Sequence, residues 1–176
     1  PFIDIAARLR AAGLNAPEVI AQDLAQGFLL LSDLGTRTYL PELDETRVES
    51  LYGDALDALQ IMQTRVDAHG LPLYDTLRLT TEMELFPTWF LGRHLGLDVG
   101  GDHAQVIEDC MQRLLNSAAE QPMSFVHRDY HSRNLMIVPG ANPGIIDFQD
   151  AVIGPITYDL VSLLKDCYIQ WPLARV

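Results

Sequence analysis

The chain has 176 residues, of which 48% are hydrophobic, and a formal net charge of −12. That length and apolar content are enough for one domain with a real core, and they exclude a disordered polar chain. The acidity disfavours nucleic acid and anionic membranes as partners, since both want clustered Lys and Arg, and no apolar run is long enough to span a bilayer.

Phe2, Ile5, Ala6, Leu9 and Ala12 recur at helical spacing, with Gly13 as a stop. After the connector Leu14–Pro17, Val19–Asp23 and the apolar run Gly27–Ser32 have strand length, and the second exits through Asp33-Leu34-Gly35. Thr38–Asp44 is a connector in which Asp44, or else Thr46 just beyond it, can cap the next helix. Val48, Leu51, Tyr52, Ala55, Leu56, Leu59, Met62 and Val66 make residues 45–68 the clearest amphipathic helix, ended by Gly70 and Pro72.

The stretch 71–96 is less regular. Leu77, Leu79, Met83, Leu85, Phe86, Trp89, Phe90 and Leu95 supply an apolar face that Pro87 interrupts. Glu82 and Glu84 stand beside aromatic residues, as in sites that hold sugars by carboxylates on hydroxyls and rings on apolar faces. Of the two, Glu84 is the preferred candidate; a helix with one solvated edge is the alternative. Past the break at Leu97–Gly101, Asp102 caps a helix to about Ala119 whose buried stripe is Val106, Ile107, Cys110, Met111, Leu114, Leu115 and Ala118. Cys110 and Cys167 read as buried reduced thiols of a cytosolic protein. His94 and His103 have no partner at ligand spacing and read as surface or cap residues.

Residues 125–150 carry the chemistry. A polar cluster, His127 to Asn134, lies between apolar runs; Pro139–Gly144 is turn chemistry, and Ile145-Ile146 rises into Asp147. Loop, strand, turn and strand would fold Asp147 back toward Asp129 and Asn134, so that two carboxylates and a carboxamide converge. One carboxylate can orient a substrate hydroxyl and take its proton, while the other, with the amide oxygen, suits magnesium. His127 and His131 are four apart, so a helical zinc pair is an alternative, but the segment has no helical periodicity and no glutamate follows His127.

The pattern His127-x-Asp129-x-His131-x-x-Asn134, followed by Asp147-Phe148-Gln149, resembles the catalytic and metal loops of the aminoglycoside phosphotransferase and choline kinase-like superfamily. The two halves together, in order and joined by a hairpin, make the pattern specific. Gly154–Val161 resembles the stretch whose aspartate braces the catalytic loop, here Asp159. The runs Asp147–Leu160 and Glu84–Phe90 are most similar to bacterial anomeric amino-sugar kinases, which phosphorylate the C1 hydroxyl of N-acetylmuramate or N-acetylglucosamine in peptidoglycan recycling.

The resemblance implies a kinase-like α+β fold, with residues 1–35 as remnant of a small lobe and hinge and 36–176 as a mainly helical large lobe. It implies ATP and Mg2+ as cofactors and an amino sugar as the small-molecule substrate; an aminoglycoside or choline-type kinase and a non-catalytic binding domain are the alternatives. Asp129 is then the base, Asn134 and Asp147 the metal ligands, and His127 and Asp159 the braces of the loop. Ser32, Asp33 and Leu34 become candidates to bond adenine, with an ordinary buried strand and turn as the competing reading. His131 and Asp150 fall near the substrate without a fixed role. One feature departs from the pattern: Lys165 is the single lysine, and no glycine-rich phosphate loop occurs. The chain is therefore expected to begin within the small lobe, to expose Phe2, Ile5 and Phe28, and to be inactive alone.

Overall fold

The computed structural model describes residues 1–176 with the side chain of Asp102 excepted, so the capping role read for Asp102 lies outside the described residues. Helix α1 (Phe2–Ala11) buries Ile5, Ala6 and Leu9. It shares one core with the long helix α2 (Val48–Arg65), which buries Val48, Leu51, Tyr52, Ala55, Ala58, Leu59 and Met62. Leu56 falls at the edge of that stripe and is exposed. Asp44 starts α2 by accepting the Thr46 and Arg47 amides at 2.8 and 3.0 Å, and the Thr46 hydroxyl is itself turned to Asp44.

Between these helices, β1 (Val19–Asp23) and β2 (Phe28–Leu31) form an antiparallel ribbon. Asp23 accepts the Ala25 and Gln26 amides, and Gly27 takes φ +78° at the turn. The buried strand that one reading expected is not found: Phe28 is 66% exposed, and Ile20 and Leu30 are exposed as well. Ile5 and Phe2 correct the expectation in the other direction. Ile5 is buried, and the Phe2 ring lies 4.9 Å from that of Phe148.

Further along lie α3 (Thr76–Met83), a wide π-helical segment Phe86–His94 that begins around Pro87, and α4 (Asp102–Ala119). The apolar faces read into this region are largely uncovered. Trp89 is 56% and Val106 62% exposed, and Leu77, Leu85, Phe86, Phe90, Leu95 and Leu114 are also exposed. Cys110 and Cys167 are exposed free thiols rather than buried ones. Helical spacing shows which residues share a face but not whether another element covers it. Here α3 and α4 pack on each other and leave their outer faces open.

The remaining strands hold the site. β3 (Met123–Val126) pairs antiparallel with β6 (Val152–Pro155), with Phe125 opposite Ile153. The segment before α3 joins this pair, because Tyr74 N–H donates to the Ile153 carbonyl and Ile153 N–H to the Pro72 carbonyl, both at 2.8 Å. Gly154 lets that approach happen: a Cβ there would lie 3.2 Å from Tyr74 and Val126 side chains. β4 (Leu135–Met136) and β5 (Gly144–Ile145) form the short hairpin expected from the two-proline turn. Asn142 pins that turn through Tyr39 and Asp54. Helix α5 (Tyr158–Leu164) follows β6 directly. No described helix is long and apolar enough to cross a membrane.

Candidate active site

At the end of β3 the chain turns sharply. Arg128 takes φ +79°, a left-handed conformation that costs a non-glycine residue roughly 1–3 kcal/mol. Asp159, in the first turn of α5, holds that turn open. One carboxylate oxygen accepts the His127 amide at 2.7 Å and the other accepts the Arg128 amide at 3.0 Å. Burial raises the Asp159 carboxyl to about 7, although both amide bonds favour its ionised form.

His127 is fully buried beneath the loop. Its Nε2 meets the Ile146 carbonyl at 3.0 Å, and the Asp129 amide donates to its Nδ1 at 3.3 Å. A neutral ring with the proton on Nε2 satisfies both, and burial lowers its pKa to about 4. With both nitrogens engaged, His127 is not a metal ligand. It ties the loop bearing Asp129 to the residue before Asp147, which fixes the distance across the mouth.

Asp129, Asn134 and Asp147 are brought together there. The Asn134 amide nitrogen donates to the Asp129 carbonyl at 2.9 Å and approaches the Asp147 carboxylate at 3.4 Å. Asp147 takes φ +65°, and Gln149 Nε2 donates to its Oδ1 at 2.7 Å. Asn134 Oδ1 receives no protein donor among the described residues. A carboxylate and a free carboxamide oxygen on one rim are the hard donors that suit magnesium. The Asp129 carboxyl lies within electrostatic reach of His131, Asp147 and Asp150 and makes no side-chain hydrogen bond to the described residues. Partial burial raises its pKa, with His131 opposing and Asp147 adding to the rise.

The substrate candidates separate. Asp150 is exposed and lines a cavity of about 340 Å3 with Arg78, Arg128 and Gln149. His131 packs edge-on against Tyr168 at 5.3 Å, and its Nδ1 is buried without a partner. Glu82 reaches the catalytic loop and accepts from Arg128 Nη2 at 2.5 Å. Glu84, the preferred one, lines instead a separate cavity of about 530 Å3 between α3 and α4, with Thr80, Thr88 and Glu108. The hinge candidates are placed between β2 and the hairpin. Ser32 exchanges hydrogen bonds with Glu18 through its amide and Oγ, and Asp33 accepts the Gly35 amide at 2.7 Å. The Leu34 side chain packs closely on Gly144, where a Cβ would lie 3.0 Å from it.

Several groups escaped the sequence reading. Asp166 accepts the Ser132 amide at 3.0 Å, the Ser132 hydroxyl at 2.5 Å and the Tyr168 amide at 2.9 Å, closing the far end of the loop. Arg128 lies 5.4 Å over the Tyr74 ring, and Tyr74 donates to Glu82. Burial opposes the Arg128 charge, yet Glu82 more than offsets it and raises the guanidinium above its ordinary value. Only the small polar residue Ser132 inside the catalytic pattern hinted at the first set; in the second, Glu82 was marked only as a sugar-holding candidate, and nothing in the local sequence marked its partners Arg128 and Tyr74.

A model of the phosphotransferase enzyme family matches residues 1–176. Over its whole length the chain is 49% identical to the N-acetylmuramate/N-acetylglucosamine kinase of Pseudomonas aeruginosa, covering 52% of that protein. It is 47% identical, again over its whole length, to the kinase of the same name from Pseudomonas putida, covering 52% of it. The chain thus spans about half the length of the curated relatives it matches. Among solved structures, the ADP-bound aminoglycoside phosphotransferase APH(2'')-Ib superposes with a TM-score of 0.65 over 95% of this chain and 60% of that one, at 20% identity. The fold is therefore the protein-kinase-like one of the aminoglycoside phosphotransferases, and the chain belongs to the phosphotransferase enzyme family.

Proposed function

We propose that this chain carries the base and the metal-holding residues of an ATP-dependent cytoplasmic kinase that phosphorylates the C1 hydroxyl of N-acetylmuramate or N-acetylglucosamine. The observation that carries this reading is the convergence of Asp129, Asn134 and Asp147 at one mouth, and the 49% identity to a kinase of that name supports it. Asp129 orients the sugar hydroxyl and accepts its proton as the new O–P bond to the γ-phosphorus forms and the bond from that phosphorus to the β,γ-bridging oxygen breaks, with ADP as the leaving group. Asp147 and Asn134 Oδ1 would hold magnesium, whose chemistry when bound is to neutralise charge on the phosphates. His127 and Asp159 keep the loop in shape. His131 and Asp150 flank Asp129 on the substrate side, with Glu84 as an outer candidate. The peptide groups of Asp33 and Leu34, which make no hydrogen bond to other described residues, are free to meet adenine.

No lysine precedes Lys165 to position the ATP phosphates. Lys165 lies in the turn after α5. Arg8 is engaged by Asp4 and the carbonyls of Asp67 and His69, and Arg10 by Ala16 and Glu18. Residues 1–176 alone are expected to give negligible sugar phosphorylation. A chimera in which they replace the matching segment of the Pseudomonas aeruginosa kinase is expected to turn over both amino sugars at an ordinary rate, roughly 1–100 s⁻¹. Activity on aminoglycosides or choline instead, with none on amino sugars, would overturn the substrate assignment. An ordinary rate from the isolated chain would overturn the division of labour.

Within the chimera, Asp147→Ala should weaken magnesium-dependent nucleotide binding, with only a modest fall in the unfolding temperature of the isolated chain, since Asp147 is exposed but takes φ +65°, which alanine tolerates less well than aspartate. Isothermal calorimetry with and without magnesium measures the first. Normal magnesium-nucleotide affinity would remove Asp147 from the metal site.

A further inference from the structure

Arg128 presents a problem that the proposed chemistry leaves open. Its backbone is left-handed, it directly precedes the base, and Asp159 restrains only its amide. Something must also hold its side chain if the loop is not to relax toward an ordinary conformation and carry Asp129 with it.

Three elements meet around that guanidinium. Glu82, from the last turn of α3, contributes one carboxylate oxygen to Arg128 Nη2 at 2.5 Å and the other to the Tyr74 hydroxyl. The Tyr74 ring supplies an aromatic face 5.4 Å from the guanidinium carbon. Tyr158, the first residue of α5, packs edge-on to Tyr74 at 5.1 Å, with the two hydroxyls 3.1 Å apart. Tyr74 itself is buried and anchored by its amide to β6, and Asp75 caps α3 through the Arg78 amide. α3 is thus pinned at its start, and Glu82 projects two turns later onto the loop. Tyr158 and Asp159 are consecutive, so one turn of α5 serves both grips on Arg128, one through the backbone and one through the side-chain cluster.

We propose that Glu82 is a positioning residue: through Arg128 and Tyr74 it locks the left-handed turn that sets the place of Asp129, and it does not bind sugar. The inference rests on the reading of Asp129 as base. It accounts for why a carboxylate beside the aromatic residues of 81–90 is directed inward. Both Glu82 oxygens are committed to protein partners, whereas a sugar ligand needs them free.

The test has two independent readouts. In the isolated chain, Glu82→Ala should speed amide hydrogen exchange across residues 127–134 relative to the original, while Glu82→Gln, whose amide can still accept from Arg128 and meet Tyr74, should not. That measurement needs no substrate. In the chimera, Glu82→Ala should lower kcat by roughly 10–100-fold, the scale of a misplaced reacting group, with KM for N-acetylglucosamine within about twofold. Arg128→Ala should match it, and the double variant should be no worse than either single one. A raised KM with unchanged kcat would make Glu82 a sugar ligand and overturn the proposal. Unchanged exchange, unchanged kcat, or a Glu82→Gln variant as impaired as Glu82→Ala would overturn it too. If the unsubstituted chimera phosphorylates no amino sugar, the functional reading fails while the exchange experiment still decides whether Glu82 holds the loop.

Discussion

Asp129→Asn in the chimera is expected to lower kcat by about 10²–10⁴-fold, the usual contribution of a general base, with little change in KM for either amino sugar. The substitution is clean because the loop does not depend on the Asp129 side chain. Its shape comes from the Asp129 amide donating to His127 and from the Asp129 carbonyl, which accepts from the Asn134 side chain and the His131 amide. An asparagine keeps all of these and loses only the proton acceptor. Partial burial raises the Asp129 carboxyl, so the acid limb of kcat/KM should begin above the ordinary aspartate range: the base is ionised at high pH and lost as pH falls through its raised pKa. Steady-state kinetics across pH measure both effects. Near-normal turnover by Asp129→Asn would remove Asp129 from the mechanism.

The legible part of this site and the illegible part differ in kind. Loop, strand, turn and strand could be read because the turn residues and the alternating apolar runs are local. Asp129, Asn134 and Asp147 lie within that one continuous segment. Asp159 was legible only through resemblance; its bonds to His127 and Arg128 span a long sequence separation. Glu82 shows the limit. Its spacing from the aromatic residues suggested a sugar-holding carboxylate, whereas the hydrogen bonds of Glu82 go to Arg128 and Tyr74, the latter anchored to β6 by its amide. Glu84, two residues on, projects from another side of the same helix into a different cavity. The same reasoning explains the uncovered stripe on α4. Val106 and Leu114 recur at helical spacing whether or not a partner is present, so periodicity could not reveal that they are exposed.

Asp159→Asn is expected to destabilise the isolated chain more at pH 5 than at pH 8. Each carboxyl oxygen keeps a lone pair for one of the two buried amides, whether the group is ionised or protonated, whereas asparagine replaces one oxygen with an NH2 donor. Either the His127 or the Arg128 amide is then left unsatisfied, at a cost of about 1–3 kcal/mol. The pH dependence follows from burial of the carboxylate. Asp159 ionises near 7 in the folded chain and near 3.8 in the unfolded one. Between those values the native state binds more protons, so the Asp159 contribution to stability falls as pH rises. Asparagine has no such slope, and the gap between the two proteins should narrow from pH 5 to pH 8 by on the order of 1–3 kcal/mol. His127 contributes a slope of opposite sign, because its folded pKa of about 4 lies below the ordinary histidine value and the unfolded chain binds the extra proton. That contribution is common to both proteins and cancels in the difference. Urea unfolding of the chain and the variant at the two pH values measures it. A gap that widens from pH 5 to pH 8 would mean that Asp159 is held as a stabilised carboxylate well below 7, and that its two amide bonds, rather than its burial, govern its charge.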